Sequence, residues 1–520
     1  MYMPNVEPNG NVNHATRERT VRLLAANLVV GSILAHLYVL IRFKFLWLSG
    51  DAAIFTKIME GVAQSGRVDG GIPYPYGFGY QVLTNFAASV SGFTVADWQL
   101  FAYPIMGALP ALVAYPMFAR LLRERLSAIL GAFLFMIQPD LLFTTYRSTH
   151  EKFTWILMLT VLLLFLIATT KRPRSSHAFF RPGAMLCLYF VMFGLFSFNL
   201  FFSNMFLLIL ALGFILGRLR PTDHDLMRLS RLAYLWVVGM VLFFSLMLYI
   251  YEPALVYLRG VANYGELVLV SLLSFETHTT PQYTFVAESW PSIYVWMGLT
   301  FVTWLVIGVS TLSFGRSFIK RSRPNGRRTL ALPQSLYAGA SLIVLASAVA
   351  DRFGGFSSNL ELRLVPVLMI FAAPIAAHEL IRWTRRESQI ASRKRVAILL
   401  ALVVVAVPVS VLKASVEPSV SNLRIYATPE EVASVNWILN VHFESQIWTD
   451  PEGRTLSVAH LVAPYSEFER YRTELGGNTS SAFYLLSGNV IAVNPDAAAA
   501  LEKPTDSIIY ANGDSFISMH

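Results

Sequence analysis

Three residues stand where an ionisable side chain is costly and can do chemistry. Asp51 closes Trp47-Leu48-Ser49-Gly50-Asp51, one or two residues past the first long apolar run, and opens the amphipathic stretch 52–64. A carboxylate there is wetted by the aqueous phase and still faces a lipid headgroup; the competing reading is a helix N-cap. Glu151 lies in Tyr146-Arg147-Ser148-Thr149-His150-Glu151-Lys152, a polar knot between two apolar runs that is denser than a turn requires. Arg363 opens the apolar run after Asn359-Leu360-Glu361-Leu362, where it either snorkels or holds a phosphate with its forked donors. A charge beside hydrocarbon usually has a partner or a task. The other charges of the same loops, such as Arg259 and Glu276, read as interfacial anchors.

The elements that must position these residues are membrane helices. Of 520 residues 55% are hydrophobic and 14% charged, and the mean hydropathy is +0.52. That composition, with apolar runs recurring from Val21 to Leu412, describes a mainly α polytopic membrane protein. About 20 apolar residues cross the hydrocarbon. Eleven candidate spans satisfy this, at roughly 21–46, 98–121, 126–144, 153–170, 182–198, 203–217, 231–251, 290–314, 334–350, 362–383 and 396–413. The first is too long for a signal-peptide core and is read as retained. The one cysteine, Cys187, sits in an apolar run, so no disulfide or thiolate metal site is built within the chain.

Lysine and arginine crowd into alternate connectors, among them those holding Arg120 to Arg125, Arg316 to Arg328 and Arg382 to Arg395. The positive-inside rule puts these and the N-terminal tail 1–20 in the cytoplasm. The transmembrane part then runs over 21–414, with a first outer loop at 47–97, and residues 415–520 form an extracytoplasmic domain. The net charge of +9 is thus a topology signal, and no nucleic-acid partner is expected. In the C-terminal domain Thr428-Pro429-Glu430-Glu431 is a capping box for a helix over 429–441. Strands are expected at 446–450, 482–486 and 490–493, a helix at 464–475, and a hairpin over 507–517 around Asn512-Gly513, giving a small α/β domain. Asn478-Thr479-Ser480 is a glycosylation sequon.

The order of these features resembles the GT-C superfamily of membrane glycosyltransferases, which includes the oligosaccharyltransferase catalytic subunit and the protein O-mannosyltransferases. The resemblance rests on an acidic residue opening the first outer loop (Asp51), a Tyr-Pro segment (Tyr74-Pro75-Tyr76-Gly77) and a Gly-Ala-Leu-Pro stretch (Gly107-Ala108-Leu109-Pro110). Pro139 then closes helix three before Arg147-Ser148-Thr149-His150-Glu151. The chain departs from the family in having no Trp-Trp-Asp-Tyr-Gly stretch and a single first-loop acid, Gly50-Asp51-Ala52.

The resemblance implies an integral membrane enzyme of the cell envelope. It would move a sugar from a polyprenyl-phosphate or polyprenyl-diphosphate donor to a glycan, lipid or protein acceptor on the outer face. Asp51 then matches the acid that deprotonates or orients the acceptor, and Glu151 the second acidic position. Arg363, with Arg352 and Arg147, would hold the donor phosphate. Asp51, Glu151 and His150 offer oxygen and nitrogen ligands to a divalent cation, Mg or Mn, but at no fixed spacing. The rival class is a transporter or flippase of a lipid-linked glycan. Such proteins often show repeated halves and midplane charges, whereas here no internal repeat is evident and the charges gather at one edge.

Overall fold

Nearly every apolar run forms a helix, as it must in hydrocarbon, where backbone groups have only one another to bond. The computed structural model describes residues 9–46, 50–68, 77–147, 149–168, 182–218, 223–251, 253–274, 295, 298–319, 331–354, 360–385, 389–415, 429–441, 447–449, 471–472, 483–487, 507–511 and 515–519. The Tyr-Pro segment 74–76, the sequon 478–480, the expected strand 490–493 and the turn 512–513 lie outside the described residues.

The helices in chain order begin with α1 (Asn9–Arg42), α2 (Gly50–Ser65), α3 (Gly79–Ser91) and α4 (Val95–Leu122). Next come α5 (Arg125–Met136), α6 (Pro139–Tyr146), α7 (Glu151–Ala168), α8 (Pro182–Phe198), α9 (Leu200–Arg218) and α10 (Asp223–Ser245). The series ends with α11 (Pro253–Ser274), α12 (Phe301–Ile319), α13 (Ala331–Gly354), α14 (Leu360–Thr384) and α15 (Gln389–Ala414). Among the described residues eight helices are long and apolar enough to cross a membrane, or nine if α5 and α6, bent by 62°, make one span. The protein is a multi-pass membrane protein. The count differs from eleven because α8 and α10 are apolar over shorter stretches, Gly183–Phe198 and Ala233–Ser245, and α12, expected as a span at 290–314, is not among those that qualify within the described residues. Conversely, α11 passes although its Arg259 and Glu266 made it read as a loop.

The core gathers around α14, whose span is 78% buried, while α15 is 11% buried and lies at the edge of the bundle. Helices α5, α12 and α13 pack on α14, and α9 packs on α13. There two glycines face each other: a Cβ on Gly339 would sit 2.9 Å from the Ile209 carbonyl and 3.0 Å from the Gly213 nitrogen. Small residues let backbones approach in this way, and dispersion then holds the helices together. At the basic end of the bundle Arg125 meets Glu18 of α1 at 3.1 Å, and Glu124 meets Arg385 at 2.5 Å and His378 at 3.2 Å.

Near the C-terminus α16 (Pro429–Val441) opens with Pro at its first position and Glu430 and Glu431 in its first turn. Strands β1 (Ile447–Thr449), β2 (Tyr471–Arg472), β3 (Phe483–Ser487), β4 (Ser507–Ala511) and β5 (Ser515–Met519) form one sheet in the order β2-β1-β3-β5-β4. β1 is parallel to β2 and β3, whereas β5 is antiparallel to β3 and β4. Tyr471 and Arg472, expected in a helix over 464–475, instead pair with Ile447 and Trp448. Pairing with a neighbouring strand outweighs a weak local helical preference.

Candidate functional site

At the opposite end from Glu124, the chain turns between α6 and α7 within four residues. Arg147 caps α6 in an extended conformation, φ −64 and ψ 143, and its carbonyl accepts from the Thr149 N–H at 2.9 Å. The His150 carbonyl then starts α7 by accepting from the Phe153 and Thr154 N–H groups at 3.1 and 3.2 Å. Glu151 therefore sits in the first turn of α7, where the helix dipole favours a carboxylate.

Lys152 pins this turn. Its side chain is fully buried, and its ammonium donates to the Arg147 carbonyl at 2.5 Å and the Tyr103 carbonyl of α4 at 2.9 Å. A buried ammonium is tolerated only with such partners. Tyr103 follows the π-helical turn Trp98–Ala102, so an irregular stretch of α4 is tied to the knot.

His150 is 6% exposed, and its Nε2 lies 2.6 Å from Asn199 Nδ2. Asn199 Oδ1 already accepts from the Phe202 N–H at 2.9 Å, which orients the amide. Its Nδ2 then donates to His150 Nε2, and the ring proton resides on Nδ1.

The first loop closes against this turn through aromatic rings. Phe55 of α2 lies 5.4 Å from the His150 ring and 5.4 Å from Tyr80 of α3, and Tyr80 lies 5.4 Å from Tyr103. The Tyr80 hydroxyl donates to Gln99 Oε1 at 2.8 Å, and Thr84 meets the Tyr103 hydroxyl at 2.6 Å. Burial above all, helped by Tyr103 and Glu151 and opposed by the Gln99 hydrogen bond, pushes the Tyr80 phenol well above its usual range. Tyr80 thus remains a proton donor and a fixed wall.

Helix α2, which carries Asp51 one turn before Phe55, therefore reaches the turn that carries Arg147, His150 and Glu151. The Asp51 side chain lies outside the described residues. Arg147 stacks over the Phe143 ring at 5.2 Å. Arg352 and Arg363 are exposed, one in the last turn of α13 and the other in the first turn of α14. Glu60 pairs with the buried Lys57 at 2.8 Å.

Among the described residues no three His, Cys, Asp or Glu side chains gather as a metal-ligand group. Of the three residues considered for a cation, His150 has committed its one lone-pair nitrogen to Asn199, which leaves Glu151 as the placed oxygen donor. Lys152 and Asn199 were not singled out from the sequence. The available signal was a polar residue flanked by apolar ones, as in Phe198-Asn199-Leu200.

The sequence matches no protein-family model and no curated protein. Solved structures do match. The oligosaccharyltransferase of Archaeoglobus fulgidus in its apo form aligns at TM-score 0.55 and 12% identity, over 90% of this chain and 70% of that one. The same archaeal enzyme, AglB, in complex with an inhibitory peptide and a dolichol-phosphate, aligns at TM-score 0.55 and 12% identity, over 90% and 69%. ArnT from Cupriavidus metallidurans bound to undecaprenyl phosphate aligns at TM-score 0.50 and 16% identity, over 94% of this chain and 97% of that one. This chain has the fold of the GT-C membrane glycosyltransferases.

Proposed function

We propose that the protein transfers a sugar from a polyprenyl-phosphate-linked donor to an acceptor on the outer face of the membrane. The observation that carries this reading is the contact of α2 with the α6–α7 turn, Phe55 on His150, which brings the helix bearing Asp51 to the turn bearing Glu151 and Arg147. The fold supports it too, because AglB and ArnT with that fold were solved with dolichol-phosphate and undecaprenyl phosphate. The positive-inside rule supports an orientation with the Glu124 end in the cytoplasm and this turn outside, and 415–520 would then be an extracytoplasmic domain.

In the proposed reaction Asp51 takes the proton from the acceptor hydroxyl as its oxygen bonds to the sugar C1. The bond from C1 to the phosphate oxygen breaks, and polyprenyl phosphate leaves with the electron pair. Arg363, Arg352 and Arg147 would neutralise the charge that grows on that phosphate. A divalent cation, if used, would be held through carboxylate oxygens of Asp51 and Glu151 and would screen the same phosphate.

Release of polyprenyl phosphate from labelled lipid-linked sugars by the purified protein tests this, comparing the parent with Asp51→Asn and with EDTA followed by Mn or Mg. General-base catalysis contributes about 10²–10⁴-fold, so Asp51→Asn is expected to lose that much release. Equal release by both proteins would remove Asp51 from the chemistry. If the parent consumes no donor across a broad panel, transport of the intact lipid-linked substrate becomes the better reading.

A further inference from the structure

Helix α3 carries polar groups that the proposed chemistry does not use. Phe78, Gln81 and Asn85 follow one another at spacings of three and four residues and so share one stripe of the helix. Gln81 is 1% exposed. Among the described residues its Oε1 has no hydrogen-bond partner, nor has the buried Nδ2 of Asn85. At the foot of the same stripe the Phe78 ring lies 5.4 Å from that of Tyr251, a residue 5% exposed whose hydroxyl likewise has no partner among the described residues. Tyr251 is aimed there by the π-helical turn Leu246–Ile250, whose first carbonyl accepts its N–H at 3.2 Å. Such turns frequently occur at functional sites.

The start of α3 is held firmly. A Cβ on Gly79 would sit 2.7 Å from Ser197 Oγ, and one on Gly77 would run into the Ser197 carbonyl. The stripe therefore cannot slide to find other partners. Buried polar groups without partners cost free energy, and a chain retains several together where a ligand returns that energy.

We propose that Gln81, Asn85 and Tyr251 form a subsite for the neutral hydroxyls of a sugar ring. The chemistry selects that class. One amide acceptor, one amide donor and one phenol match uncharged hydroxyls, while Phe78 and Tyr251 offer aromatic faces to the C–H side of a ring. A phosphate would call for cations, and a lipid tail would leave the amides unanswered. This inference rests on the glycosyl-transfer reading and adds the residues that hold the sugar, whether it belongs to the donor or to a glycan acceptor.

The test is equilibrium binding to the full chain in nanodiscs, with bare undecaprenyl phosphate, undecaprenyl-phosphate sugars and a panel of methyl glycosides as probes. The variants are Gln81→Leu and Tyr251→Phe. Each removes a polar group that has no partner among the described residues, at nearly constant shape, so the thermal midpoint should stay level or rise. A roughly tenfold weaker affinity for the sugar-bearing lipid, with bare undecaprenyl phosphate unaffected, would support the subsite and assign it to the donor. Weaker methyl glycoside binding with donor discrimination intact would support it and assign it to the acceptor. Variants that weaken every probe equally, or none, would overturn the subsite while leaving lipid-phosphate binding in place. If the parent binds no probe at all, the subsite and the glycosyl-transfer reading fall together.

Discussion

The two ends of the helical bundle handle charge in opposite ways. At one end Glu124 is partly exposed and answered by several exchangeable partners: Ser127 at 2.8 Å, Arg385 at 2.5 Å and His378 at 3.2 Å. At the other, Lys152 is fully buried with two backbone carbonyls as partners, and His150 is held by one amide. The first arrangement is solvated and forgiving, and the second is dry and specific. Groups whose rotamers are locked by such partners hold a reacting geometry to a fraction of an ångström, which ion pairs in water do not.

The largest effect expected from breaking the dry end comes from Lys152→Met. The Tyr103 carbonyl would keep the Gly107 N–H at 3.1 Å, and the Arg147 carbonyl would keep the Thr149 N–H at 2.9 Å. Stability should therefore fall by only about 1–2 kcal/mol, since no carbonyl is orphaned and a buried charge is removed. The turn, however, loses its tether to α4, and a displacement of about 1 Å at a reacting group can cost about 10²-fold in rate. Donor turnover set beside the unfolding midpoint reads the split. A variant that loses stability and turnover in proportion would make Lys152 a packing residue only.

Next in size is Asn199→Leu. The change strips His150 Nε2 of its donor and leaves the Phe202 N–H, in the first turn of α9, without its acceptor. A lost cap together with a buried unsatisfied donor is worth about 2 kcal/mol, measurable by thermal unfolding in detergent. A midpoint within error of the parent would show that the α8–α9 junction does not depend on this amide.

The same contrast explains what could be read in the chain beforehand. Span length and apolarity are local properties, so most helices were legible, and Glu151 stood out as a charge against hydrocarbon. Lys152 occupies the same seven-residue knot, yet whether a residue next to Glu151 turns inward depends on α4, some 50 positions earlier. Pro139, expected to close helix three, instead stands first in α6, and the 62° bend also needs Gln138, whose side chain caps Leu141 at 2.6 Å and reaches Thr303 at 2.9 Å. Phe78, which leads into α3, meets Tyr251 only because stretches some 170 positions apart pack together. The types of Gln81 and Tyr251 looked ordinary, and their burial without partners among the described residues emerges only on folding.

The smallest effect belongs to the solvated end and should differ in kind. Burial raises the Glu124 pKa, but the Ser127 hydroxyl, the Arg385 guanidinium and His378 outweigh it and hold the group below its ordinary 4.5. A carboxylate with a depressed folded-state pKa contributes stability that is fully present above the unfolded value and lost as pH falls through the folded one. Glu124→Gln should therefore cost under about 1 kcal/mol at neutral pH. The gap to the parent should close as the pH drops below 4.5. Salt should narrow it at neutral pH as well, because these groups are reached by solvent. The Lys152→Met effect should respond little to salt, since its partners are carbonyls in a buried site. Unfolding midpoints of both variants across ionic strength make the comparison, and equal salt sensitivity would mean that the two ends do not differ in the way their burial implies.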